Sequence, residues 1–189
     1  MLTQFISRRS LVRIAAVPIA LAAAPRCFAA PAAAATSSPP ANGLSHSSEA
    51  IHQEITFNAA RRLVYAALTD PKQFDAVTRL SDAVTLVTAA GAKPTAISQE
   101  VGGAFVLFGG YITGRHLELV PDERLVQAWR AGSWGAGEYS IARFALHEAG
   151  AGCKLVFDHR GFPKGEGVHL APGWHSHYWE PLAKFLQKG

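Results

Sequence analysis

Gly173-Trp174-His175-Ser176-His177-Tyr178-Trp179-Glu180-Pro181-Leu182 is the stretch that decides the fold. Trp174, Tyr178, Leu182 and Phe185 recur at helical spacing, which predicts a helix from about Pro172 to Gln187 with one aromatic stripe. That much ring surface needs a broad apolar partner. Upstream, Cys153, Leu155, Phe157 and His159 alternate over a run that reads as a strand, so one strand face is apolar except for the His159 tip. The pair predicts a helix closing over a sheet. Pro181 lies inside the helical run, frees the carbonyl of His177 and predicts a kink there.

Working back from this end, the segments supply that sheet. Ile51, Ile55 and Phe57 alternate with polar residues in a half-buried strand over 51–57. Asn58 is placed to cap a helix through Thr69, with Leu63, Val64, Ala67 and Leu68 on one stripe and Arg61 and Arg62 towards water. Asp70 and Pro71 then suit the N-cap and first position of a second short helix anchored by Phe74 and Val77. From Asp82 the pattern becomes β-like. Strands are expected over Val84–Val87, Ala104–Phe108, around Leu117 and Leu119, and over Leu125–Arg130, Tyr139–Leu146 and Cys153–His159, joined as short hairpins into an antiparallel meander. Gly102, Gly103, Gly109, Gly110 and Gly114 precede no helix, so they read as bends in a curved sheet and not as a phosphate loop.

Composition narrows the partners. The chain has 189 residues, nearly half of them hydrophobic, and a formal charge of +4. Arg8, Arg9, Arg13 and Arg26 account for all of that excess, because residues 42–189 hold equal numbers of basic and acidic side chains. A formally neutral body argues against a nucleic-acid partner. The leader itself, residues 1–35, has a basic start at Arg8-Arg9, an apolar run from Ile14 to Ala24 interrupted by Pro18, and small residues to Ala35. It resembles a bacterial twin-arginine export signal, which implies a periplasmic or secreted protein with no stable membrane insertion after cleavage. Residues 36–49 read as a linker and 50–189 as the domain. Cys27 lies in the leader, leaving Cys153 as a lone, buried, unreactive thiol.

No coherent catalytic constellation or cofactor motif is present. His169, His175 and His177 with Glu166 invite a metal reading, but His175 and His177 stand about 200° apart at ~3.6 residues per turn, so no metal site is expected. His159 is the one polar tip expected under the helix. It serves either as a core histidine, a pocket lining, or a general base.

The order strand, two short helices, six strands and a long C-terminal helix resembles the helix-grip fold of the START-like superfamily, also called SRPBCC. Within it, the chain is similar to the branch named after the activator of the heat-shock protein 90 ATPase. The resemblance rests on Ala66-Ala67-Leu68-Thr69-Asp70-Pro71, on Gly102-Gly103 to Gly114 followed by Pro121 to Trp129, and on Asp158-His159-Arg160-Gly161-Phe162-Pro163 with the aromatic ending. It implies an α+β fold in which a curved antiparallel sheet grips the C-terminal helix over a cavity for a small hydrophobic ligand. The co-chaperone role of the branch needs ATP and a cytosolic partner, which the leader points away from. Expected pocket residues are Phe74, Phe105, Phe108, Trp129, Phe144, Phe157, His159, Trp174 and Tyr178, with Trp134 in the Gly132–Gly137 loop at the entrance. Alternatives are a cyclase or dehydratase using His159, and a chaperone-like module binding protein through an exposed apolar patch.

Overall fold

The computed structural model describes residues 49–188. The leader over 1–35 and the linker, apart from Glu49, lie outside the described residues. Strand β1 (Ala50–Phe57) is followed by helices α1 (Arg61–Thr69), α2 (Pro71–Thr78) and α3 (Val84–Thr88), then by β2 (Ala96–Ile97), β3 (Ala104–Leu107), β4 (Ile112–Val120), β5 (Arg124–Ala131), β6 (Ser140–Ala149) and β7 (Gly152–Arg160). The C-terminal helix runs as α4 (Gly167–Trp174), a π-helical turn (His175–Trp179) and α5 (Glu180–Leu186). Among the described residues the strands form one antiparallel sheet in the order β1-β7-β6-β5-β4-β3-β2. Only β1 joins out of sequence, pairing Ile51 with His159 and Ile55 with Leu155. The helix-grip expectation therefore holds.

The local chemistry explains most boundaries. Asp70 accepts from the backbone N–H groups of Lys72 (3.0 Å) and Gln73 (2.9 Å), and Pro71 occupies the first helical position, where a missing donor costs nothing. Asn58 does not cap α1: the capping position falls on Ala60, with no side-chain hydrogen bond, so the helix starts later. That start leaves Leu63 exposed while Val64, Ala67 and Leu68 are buried. Arg61 does not simply face water either, since it pairs with Glu148 at 3.4 Å and Glu123 at 3.7 Å.

Val84–Val87, expected as a strand, is the helix α3. Its β-branched residues have no strand partner, and tertiary docking overrides their propensity. Gly109, with φ 68°, lies against the carbonyl of Leu86, where a Cβ would collide with that oxygen. The sixth strand of the meander is instead the short β2, paired with β3 through Ala96–Val106 and Ile97–Phe105. Leu117 and Leu119 do not share a clean alternation, because a bulge between His116 and Glu118 shifts the register and leaves Leu117 exposed. Gly114 is less a bend than a recess. Any side chain there would strike the Phe105 ring and the Ala128 carbonyl.

Candidate functional site: a pocket under the C-terminal helix

The helix begins at Gly167, five residues before the expected Pro172, and two side chains from the β1 end tie it down. The Glu49 carboxylate accepts from the N–H groups of Gly165 (2.8 Å) and Gly167 (3.1 Å). Gln53 donates from Nε2 to the carbonyl of Ala171 (2.9 Å) and accepts from the indole N–H of Trp179 (2.6 Å). Between these ties the helix widens rather than simply breaking at Pro181: the N–H of Glu180 reaches back five residues to the carbonyl of His175. In a regular helix residues five apart are about 140° round the axis at ~3.6 residues per turn. The wider turn brings Trp174 and Trp179 onto one face, stacked at 5.7 Å with an interplanar angle of 18°, together with Tyr178.

Beneath Trp174 and Trp179 the space is filled. Phe144 and Phe157, paired across β6 and β7, contact both indoles. His159 is fully buried among them. Its Nδ1 accepts from the Trp174 indole N–H at 3.0 Å, which fixes the proton on Nε2 because an indole nitrogen can only donate. Nε2 then donates to the Ser140 hydroxyl at 2.6 Å, and that hydroxyl donates to the Trp129 carbonyl at 3.0 Å. Every polar atom of this hydrogen-bonded relay, from the Trp174 indole to the Trp129 carbonyl, is partnered. Burial pushes the His159 pKa down to about 4, so the ring is neutral at ordinary pH. With both nitrogens committed, no lone pair remains for general-base chemistry.

One turn away the underside of the helix is hollow. A cavity of about 230 Å³ lies between Ile112, Trp129 and Ala131 of the sheet and Leu170, Gly173, Trp174 and Tyr178 of the helix. Phe108 closes one side, its backbone held at φ 50° and its ring edge-on to Phe74 and Tyr178. A non-glycine residue in that region carries strain of roughly 1–3 kcal/mol, retained here where the wall turns from β3 into β4. Ala83 just before α3, Leu86 within it, Tyr111, and Glu166, His169 and His177 complete the lining, with Leu86 and Tyr111 partly open to solvent at the rim. Trp129 Nε1, the Tyr178 hydroxyl and His177 Nδ1 are buried and have no hydrogen-bond partner. Burial pushes the Tyr178 pKa upwards, so its hydroxyl keeps its proton.

Of the residues expected at a pocket, Phe108, Trp129, Trp174 and Tyr178 line this one. The rest lie behind it. Phe74 backs Tyr178 and Phe108, Phe105 packs on His116, Phe144 and Phe157 belong to the filled half, and His159 sits under Trp174. Trp134 is not an entrance residue: it is buried edge-on to Trp129 and donates to Glu166 at 3.3 Å. The histidines grouped as conceivable metal ligands separate. His175 points outward to Glu180 at 3.1 Å, whereas His169 and His177 line the pocket, and no three metal-ligating side chains converge among the described residues. Tyr111, Ile112, Ala131 and Leu170 were not legible as lining because nothing in their sequence context separates a wall from a core. Cys153 is buried, and burial raises its pKa.

Residues 58–187 match the family model described as "Activator of Hsp90 ATPase homolog 1-like protein". The chain is 28% identical over 122 residues to the mouse activator of 90 kDa heat shock protein ATPase homolog 1, an alignment covering 65% of this chain and 35% of that protein. Its fold is similar to the crystal structure of an HSP90 activator from Plasmodium falciparum, with a TM-score of 0.62 at 20% identity over 73% of this chain and 96% of the other. A protein from Chromobacterium violaceum superimposes with a TM-score of 0.54 at 25% identity, again over 73% of this chain and 96% of the other.

Proposed function

The chain belongs to the Activator of Hsp90 ATPase homolog 1-like family, and on that premise we propose that it is a binding module for a small hydrophobic ring compound held between sheet and C-terminal helix. The observation that carries the reading is the 230 Å³ hollow under a helix whose other half is densely filled. Scaling from the ~150 Å³ cavity that takes benzene, the space suits a ligand of about ten non-hydrogen atoms. Activation of an Hsp90 ATPase is not carried over, because the chain spans about a third of the length of the curated relatives it matches, 35% for the mouse protein. The Arg8-Arg9 leader supports export of the domain, and recovery of a shortened chain from the periplasmic fraction is the matching observation.

Titration with naphthalene, followed by tryptophan fluorescence, tests the pocket. Saturable one-site quenching is expected, and Ala131→Phe, which projects a ring into the cavity, abolishes it while the circular dichroism spectrum is retained. An unchanged titration in that folded variant would falsify the assignment of the site.

A further inference from the structure

Three buried polar atoms border one cavity with nothing to bond: Trp129 Nε1, the Tyr178 hydroxyl and His177 Nδ1. Native proteins leave few such groups, since each unmet donor or acceptor costs about 1–3 kcal/mol. Three around a single hollow call for a partner that comes from outside the chain. The chemistry of the three defines it. The indole nitrogen can only donate. The Tyr178 hydroxyl is protonated and also has a hydrogen to give. The indole N–H is directed at the phenol oxygen closely enough to hold the Tyr178 pKa down somewhat, yet short of full hydrogen-bond geometry, so the two groups lie side by side and the phenol hydrogen is left without an acceptor. An oxygen with two lone pairs placed there accepts from both. The His177 ring is free to choose its tautomer and adds no contrary demand.

Charge restricts the oxygen further. No lysine or arginine lines the pocket and Glu166 does, so an anion entering it would lose its hydration without meeting a permanent cation, and could gain one only by protonating His169 or His177. Phe108, Ile112, Leu170 and Trp174 offer apolar surface to the remainder of the molecule. Resting on the ligand-binding reading above, we infer that the pocket takes a neutral ring compound bearing a carbonyl, whose oxygen accepts from Trp129 Nε1–H and Tyr178 O–H.

Three probes of equal size separate the demands: acetophenone, α-methylstyrene, in which a CH₂ replaces the carbonyl oxygen, and benzoate. Calorimetric titration of the full chain is expected to rank acetophenone at least about tenfold above α-methylstyrene, the factor that a little under two ordinary hydrogen bonds supply. Benzoate binds more weakly than both. Tyr178→Phe brings acetophenone towards α-methylstyrene and leaves the latter within about twofold of its original affinity, as expected for loss of one hydrogen bond from a retained pocket. Equal affinities for acetophenone and α-methylstyrene in the unaltered protein overturn the carbonyl anchor, and so does a preference for benzoate. Saturable naphthalene binding with no binding of any of the three also overturns it. Absence of naphthalene binding as well overturns the pocket reading itself.

Discussion

Two polar clusters lie one helical turn apart under the same helix, and they are built in opposite ways. Around His159 every donor meets an acceptor, from the Trp174 indole through the imidazole and Ser140 to the Trp129 carbonyl, and the surrounding volume is filled by Phe144 and Phe157. Around Tyr178 the polar atoms are unmet and the volume beside them is empty. Trp129 belongs to both, with its carbonyl in the closed chain and its indole N–H in the open one. A polar side chain under a gripping helix is therefore not by itself a sign of chemistry. What distinguishes a site from a strut is whether its hydrogen bonds are already spent.

The largest expected effect comes from the filled half. Phe157→Ala removes a ring in contact with Trp174 and Trp179, and should cost about 3–5 kcal/mol in a urea melt. A cost below about 1 kcal/mol would erase the contrast, because it would mean that this half is also loosely filled. Acid tests the closed chain next. The folded state resists protonating His159 until about pH 4, whereas the unfolded chain takes the proton near ~6.5, so the unfolded state binds more protons between these values. Stability is then level above pH 6.5 and falls by about 3 kcal/mol as pH drops to 4. His159→Gln should flatten much of that slope; a smaller residue remains from His116, whose pKa burial also lowers. An identical pH profile in the variant would show that the imidazole is not held neutral.

Ser140→Ala is the finer cut into the same chain. It leaves the His159 Nε2–H and the Trp129 carbonyl without their partner, at a cost of roughly 1–3 kcal/mol for a change of one oxygen atom. Chemical denaturation measures it directly. A neutral outcome would mean that the Ser140 hydroxyl does not close the chain and that its two partners are satisfied without it.

How much of this was legible in the residues follows the same division. The alternation of Cys153, Leu155, Phe157 and His159, the Asp70-Pro71 cap and the aromatic spacing of the last helix are local patterns, and they led to the helix-grip fold. Val84–Val87 misled because β-branched residues prefer strands until a neighbour docks them otherwise, here the bare backbone at Gly109. The pocket was harder. Trp129, Trp134, Phe144 and Phe157 are equivalent as aromatic residues on inward positions, yet only Trp129 borders the hollow. Volume is a property of what is missing between distant segments, and no spacing rule records it. The π-helical turn belongs to the same class, since Pro181 announced an irregularity but not that the turn would widen to place Tyr178 over the gap.

Tyr178→Phe carries the smallest expected change in stability and the sharpest comparison. It deletes one hydroxyl, as Ser140→Ala does, from a residue that is likewise buried. The Ser140 oxygen closes two hydrogen bonds, while the Tyr178 oxygen closes none. Removing a buried polar atom that has no partner refunds its desolvation, so the ligand-free variant should be unchanged or more stable by up to about 1 kcal/mol. The ring contacts with Phe74, Phe108 and Trp174 survive the substitution, which keeps packing out of the comparison. Opposite signs for the two hydroxyl deletions, read from paired denaturation curves, would establish that one cluster is complete within the chain and the other waits for a partner. A destabilisation equal to that of Ser140→Ala would mean that the Tyr178 hydroxyl is already satisfied in the free protein, by an ordered water in the hollow, and that a ligand must displace that water to bind.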